Sequence, residues 1–421
     1  MNSSKKDLRY LNPSDICIVA YGRTPTGSFG GSLSSIHASE LASHAIKHCL
    51  LQCVSEIKNQ NDLSHIEEAF LGNVLSANLG QAPARQAVLK AGLSESVICT
   101  TINKVCASGM KSVIFGCQQL QLKQRNKLIL CGGMENMSQV PYYSTDLRFG
   151  KKMQNSVLID GMVKDGLWDV YNNFHMGMCA EGCAKKFEIS REQQDEFAVR
   201  SFKNAMETHK AGIFKKEISP INIKGKIIDN DEGCWKLDEK KLKNLKPAFS
   251  NSNLATVTAG SSSSISDGAA IIMLCTGEYA MKHNLNVHAV IVSYDDAEIK
   301  PIDFPIAPFE AIKKTLERAH LSVEDIDFWE INEAFAIVCL ANMKLLKMDK
   351  EQMNKKLNIF GGAISLGHPL GCSGARIICT LINVLTTKQG KYGCAAICNG
   401  GGGASCMIFE RVNYNNAKAN L

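Results

Sequence analysis

No stretch of this 421-residue chain approaches the run of about 18 apolar residues that a bilayer crossing requires, so no membrane span is expected. Nor is there a large excess of one charge. Against 47 Lys and Arg stand 41 Asp and Glu, and a net +6 over this length is too diffuse for a nucleic-acid partner. The metal signatures C-x-x-C and H-E-x-x-H are absent, so no metal site is expected; His44, His48, Cys49 and Cys53 read as packing. No Gly-Lys-Ser/Thr closes a phosphate loop, and neither glycine-rich segment has the G-x-G-x-x-G fingerprint. The opening MNSSKKDLRYLNPSDI lacks the apolar segment of a secretory signal, and the closing NYNNAKANL carries no peroxisomal, ER or prenylation address. A cytoplasmic protein is expected, with mitochondrial as the alternative.

What the chain does have is an ordinary globular balance, 45% apolar, 21% charged and 7% aromatic, with length for two or three domains. Cysteine is plentiful. Seventeen is an odd count in a long, core-rich chain, which argues against a disulfide scaffold and for a reducing compartment with most thiols as small core residues.

The sequence also repeats itself. Glu-Ala-Phe at 68–70 recurs at 333–335 and Ser-Gly at 108–109 recurs at 373–374, both at an offset of 265. The same shift carries Lys111 onto Arg376 and runs the CGG of 131–133 into CNGGGG at 398–403. Two equivalent halves are implied, since the period is far too long for a solenoid. Apolar runs at 16–20, 69–74, 127–131 and 290–293 read as buried strands. After Cys106, apolar residues at 110, 113, 114, 117 and 120 have helical spacing, and a matching helix is expected from about 373 to 384. The fold class is therefore α/β: two duplicated halves with parallel-rich sheets covered by helices. The expected organisation is a first half of 1–135 with 266–288, an inserted loop domain of 136–265, and a second half of 289–421. The insertion contains Trp168 and Trp235, a capping box at Ser190 and Gln193 before a long helix, and a charged stretch at 236–246. It is expected to have a small core of its own.

Candidate chemistry gathers in four places. Cys106 lies just before the helix that its own motif opens, where the helix dipole and free N–H groups favour a reactive thiolate. His368 lies in a Gly-His-Pro turn within GGAISLGHPLGCSG (361–374). Cys398 opens CNGGGG, and glycines of this kind supply backbone N–H groups for an oxyanion. Asn332 follows an apolar strand at 326–331, at the end where open α/β sheets place ligands, and core packing does not account for it. Cys179 and Cys183 read as packing, and Met176 and Met178 as gap-fillers or the lining of an apolar tunnel.

The segments NKVCASGMKS, NEAFA, GGAISLGHPLGCSGAR and CNGGGGAS, in this order, resemble those of thiolases, in particular the short-chain biosynthetic type. GGMENMS, VKDGLWDVYNNFHMG, TVTAGSSSSISDGAA and PIDFPIAP extend the resemblance over nearly the whole chain. It implies reversible condensation of two acetyl-CoA to acetoacetyl-CoA and CoA through a cysteine thioester. In that scheme Cys106 is the nucleophile, His368 its activator, and Cys398 the acid/base for the α-proton. Asn332, through a water, and His368 would hold the enolate oxygen, while N–H groups of Cys106 and Gly400 hold the other oxyanion. Ser263 and His175 match positions that contact the pantetheine arm. Acetyl-CoA, acetoacetyl-CoA and CoA are the implied partners, CoA being substrate and product, with no further cofactor. The resemblance also implies a homo-oligomer, dimer or tetramer, with 143–160 as the tetramer contact. Two departures stand out: Cys234 replaces a potassium-binding Tyr, and TAGSSSS replaces the usual TAxNAS, both weighing against potassium activation. The alternatives are a degradative 3-ketoacyl-CoA thiolase of broader chain length and a non-catalytic acyl-CoA- or lipid-binding relative.

Overall fold

Strand β1 (Ile16–Arg23) is buried along its whole length, as an apolar run inside a covered sheet should be. In the computed structural model, which describes residues 8–54, 65–122 and 128–414, β1 sits at the centre of a ten-stranded sheet. The other long strands are β2 (Ile66–Gly72), β3 (Ile98–Ile102), β4 (Leu128–Asn136), β5 (Ser266–Thr276), β6 (Ala289–Glu298), β7 (Phe328–Ile331), β8 (Tyr392–Asn399) and β9 (Gly403–Glu410). Their order is β7-β8-β9-β6-β1-β5-β4-β2-β3. The duplication is visible in it: β2, β4, β5 and β1 on one side mirror β7, β8, β9 and β6 on the other. The halves meet where Ile16 pairs with Ile291 and Ile18 with Ala289.

The sheet is mixed rather than parallel-rich. Pairing is parallel at β2–β3, β2–β4 and β7–β8, and antiparallel at the other junctions along the path. The reason is local. Three glycines, Gly400–Gly402, turn β8 back into β9, and so tight a connection can only join antiparallel strands. Gly401 and Gly402 sit at φ 92 and 95, which other residues rarely adopt. In the first half the equivalent strands β4 and β5 are also antiparallel neighbours, but residues 137–265 stand where the second half has its turn.

Helices fill the layers in chain order: α1 (Ala38–Val54), α2 (Pro83–Lys90), α3 (Ser108–Gln121), α4 (Gly177–Lys186), α5 (Arg191–Lys210), α6 (Ala307–Ala319), α7 (Ala336–Leu345) and α8 (Leu370–Lys388). Helices α1 and α2 cover the first half, and α6 covers the second. Between the halves lie α3 and α8, packed on each other and on strands of both. Helix α5 opens with the expected capping box, Ser190 accepting from the Gln193 N–H and Gln193 accepting from the Ser190 N–H. Helix α8 starts earlier than expected, at Leu370, because its glycines serve close packing and do not mark a turn. It is also the one helix among the described residues with the length and mean hydropathy, 1.3, of a membrane span, but 89% of that window is buried inside the protein.

The insertion has no separate core. Cys179, Phe197 and Leu242 share an apolar cluster with Trp329 and Ile331 of the second half, and Phe214 and Cys234 join Phe360 and Val384. The buried faces of its helices pack on the second half, so they complete the core of β7 and α8. Residues 1–7 and 415–421, on which the targeting expectation rests, lie outside the described residues, as does Lys127 at the expected start of β4.

Candidate active site

A cavity of about 550 Å3 opens between the insertion and the two halves, lined among others by Cys106, His175, Ser263, His368 and Cys398. Five separated segments thus converge on one space. Gly400 lines an adjoining cavity of about 420 Å3, which shares Met176 and Phe304 with the first. Met178 lines neither. Asn332 has no exposed surface and reaches the site through His368.

Cys106 is presented by a strained turn. Val105 has φ 46, unfavourable for a β-branched residue, and three hydrogen bonds hold it there. The Val105 N–H donates to Asn103 Oδ1 at 2.9 Å, Ser108 Oγ donates to the Val105 carbonyl at 2.6 Å, and the Lys104 N–H donates to Ser108 Oγ at 2.8 Å. The thiol follows one residue ahead of the Ala107 N-cap of α3. The helix terminus does not make it a thiolate, as position alone suggested. Burial pushes its pKa up to about 12; the N–H groups of Gly400 and Cys106 itself pull the other way, and Glu135 adds to the rise. With 5% of its surface accessible, desolvation outweighs the dipole. The resting group is a thiol with two N–H groups turned to its sulfur.

His368 is placed by the N-terminus of α8. Its Nδ1 lies 2.6 Å from Ser373 Oγ, and that hydroxyl donates its proton to the Pro369 carbonyl at 2.9 Å. Ser373 can then only accept, so Nδ1 carries the hydrogen and Nε2 keeps its lone pair. Nε2 lies 3.5 Å from Asn332 Nδ2. Burial, aided by the Arg376 charge, lowers the imidazolium pKa to about 3, so the ring is neutral. Cys398 is the last residue but one of β8, almost fully buried, and burial together with Cys106 raises its thiol well above the usual range. Asn332 follows β7 and leaves its Oδ1 buried without a partner, an acceptor with capacity to spare.

The outer part of the cavity is apolar. His175 stacks on Phe249 with centroids 4.7 Å apart, and Phe249 meets Phe335 edge-on at 5.8 Å. Burial lowers the His175 pKa, and its Nδ1 accepts the Gly177 N–H at 3.0 Å. Ser263 is fixed by its N–H on the Ala334 carbonyl at 3.0 Å, tying the insertion to the strand end that holds Asn332. Of the charged stretch, Lys236 lines the mouth, its Nζ donating to Ser28 Oγ at 2.7 Å. Cys234 is fully buried, its Sγ 3.4 Å from the Asp231 carbonyl. Outside the site, His44 contacts the Pro220 carbonyl and His48 contacts Gln52, while Cys179 lies 3.5 Å from Asp169. Sequence reasoning missed Ser373 and Phe249. The first could have been found from the duplication, which places it opposite Ser108; the second carried no signal.

A neutral base, two thiols and an N–H pair in a desolvated cavity suit acyl transfer through a thioester. Family models described as the thiolase N-terminal and C-terminal domains match residues 16–278 and 285–411, and the chain belongs to the thiolase family. Among its relatives, acetyl-CoA acetyltransferase 2 of Arabidopsis thaliana is 51% identical over 407 residues, covering 95% of this chain and 98% of its own length. The probable acetyl-CoA acetyltransferase of Dictyostelium discoideum is 47% identical, covering 95% of each. A crystal structure of an Ascaris suum thiolase in complex with coenzyme A superposes with a TM-score of 0.87 at 39% identity, over 94% of this chain and all of that one.

Proposed function

We propose that this chain is an acetyl-CoA C-acetyltransferase that reversibly condenses two acetyl-CoA to acetoacetyl-CoA and CoA. The observation that carries the reading is the convergence of Cys106, Cys398 and a neutral, oriented His368 on one cavity. Cys106 Sγ attacks the thioester carbonyl as His368 Nε2 takes its proton. The N–H groups of Cys106 and Gly400 hold the oxyanion, and CoA leaves with the proton of the Cys398 thiol, which becomes a thiolate. The Cys398 thiolate then removes the α-proton of a second acetyl-CoA, whose enolate oxygen rests against the protonated Nε2 of His368 and an Asn332-held water. The enolate carbon attacks the acetyl-Cys106 carbonyl; a C–C bond forms, the C–S bond breaks, and the Cys106 thiolate takes back its proton from His368 Nε2. A thiolate suits both halves of the cycle as nucleophile and leaving group.

The pantetheine arm would run past His175 and Ser263 along the Phe249 wall. Each step balances with side chains and CoA thioesters alone, so no further cofactor is called for. Cys234 offers a cation no phenolic oxygen, which speaks against potassium activation. The hairpin around 143–160 exposes Phe149 at 90% and Met153 at 82%, apolar surface suited to a contact between copies of this chain in a homo-oligomer. A reducing, cytoplasmic setting would keep both reacting thiols reduced.

Initial rates in both directions with C4 to C10 substrates, with and without potassium, test the reading. Activity confined to the shortest chains and indifferent to potassium is expected. Equal thiolysis of C10 and C4 substrates would replace it with the broader degradative activity.

A further inference from the structure

The buried carboxylate of Glu135 has no part in the steps above, yet it stands where the two halves meet. It lies in β4 with no exposed surface and accepts four hydrogen bonds. Oε1 takes Asn73 Nδ2 at 2.8 Å and the Leu75 N–H at 3.1 Å; Oε2 takes the Val74 N–H at 3.0 Å and the Gly371 N–H at 2.9 Å. Three donors belong to the loop after β2 in the first half. The fourth belongs to the first turn of α8 in the second.

Helix α8 has no side-chain cap of its own, its N-cap being Pro369. A first-turn N–H such as that of Gly371 has no partner within a helix, and an anion there is favoured by the helix dipole. Glu135 therefore caps α8 from the opposite half. Gly371 is three residues from His368, while the approach of α8 to β4 is so close that a Cβ on Gly133 would overlap the Gly371 carbonyl oxygen.

We propose that Glu135 is a positioning residue for the reaction, its carboxylate clamping the N-terminus of α8 to the first half so that His368 Nε2 stays set against Cys106. The inference rests on the acetyltransferase reading of the site. Burial raises the Glu135 pKa to about 7, against the pull of the Gly371, Val74 and Leu75 N–H groups, with Asp267 on β5 adding to the rise. The other titratable groups facing it are Cys106, ahead of α3, and Cys372 on α8. Protonation turns one oxygen from acceptor to donor and loosens the clamp, so kcat should fall as the pH drops below about 7. His368, neutral already, does not produce that limb.

Glu135→Gln has the same shape, cannot titrate, and presents N–H2 to donors on one side. The expected result is a folded enzyme with kcat for acetoacetyl-CoA thiolysis down roughly tenfold or more, KM for CoA within about twofold, and no acid limb near pH 7. A folded variant with wild-type kcat, or one that keeps the wild-type limb, overturns the proposal, as does a wild type with no such limb. Should Glu135→Gln fail to fold, Asn73→Ala decides. It removes one donor that favours the carboxylate while leaving Gly371 in place, so the limb should move to higher pH; an unmoved limb overturns the proposal. Cys106→Ser in the same assay keeps the two readings apart: turnover in that variant would sink the acetyltransferase reading, whatever Glu135 does.

Discussion

Helices α3 and α8 hold equivalent places in the duplicated halves, yet they differ in surroundings and in task. Each begins beside the cavity, and Ser108 in the first corresponds to Ser373 in the second. Ser108 braces the backbone turn that presents Cys106, whereas Ser373 orients the ring of His368. Helix α3 is amphipathic, with Gln118 and Gln121 exposed; α8 is buried on every side from Leu370 to Leu385. The insertion makes the difference. Phe214 covers the outer flank of α8, and Glu217 accepts from Thr380 Oγ1 at 3.1 Å and Asn383 Nδ2 at 2.9 Å, partners that its polar residues would otherwise lack. Duplication thus supplies a symmetric frame, and an insertion in one half lets the two copies specialise.

The largest expected effect separates the reacting groups of the two halves. Cys106→Ser should lower acetyl transfer from labelled acetyl-CoA by on the order of 10,000-fold or more, with the fold intact. Cys398→Ala should stop condensation and α-proton exchange while slow acylation of Cys106 continues. Equal loss of acylation in both variants would erase the division of labour. Next in size is stability: Leu381→Ala on α8 should cost about 2–5 kcal/mol by urea denaturation, and Gln118→Ala on α3 less than about 0.5 kcal/mol. Comparable shifts would mean that α8 is less enclosed than its burial indicates. The smallest catalytic effect concerns Ser373. Ser373→Ala removes one hydrogen bond from His368 Nδ1 and should slow acylation by roughly 5- to 10-fold, about 1 kcal/mol, at unchanged KM. An unaltered rate would show that the ring needs no such support.

Local features of the chain were legible, and shared ones were not. The apolar period after Cys106 marked α3 because that helix has a wet side; α8, dry all round, announced only its glycines, and its start was read three residues late. The offset of 265 exposed the duplication because equivalent turns need the same small residues. Reacting groups were visible where a motif carried them, as with Cys106, His368 and Cys398. What needed the fold was anything decided between segments: the thiol form of Cys106, the Ser373 contact with the ring, the Glu135 cap, and the merging of the insertion into the second half. Burial and cross-half contacts set these, and neither has a local signature.

The wholly enclosed α8 also dictates when the molecule can become compact during synthesis. Ile114, Cys131 and Ile272 belong to one core cluster with Ile378 and Leu381, so the inner face of the first half is covered only in part, by α3, until residue 388 is made. At ribosomal speed that leaves the rest of the face waiting for on the order of ten seconds after β5 emerges. Native contacts of such long sequence separation close late. The packing of α8 between the two halves is therefore among the last steps of maturation.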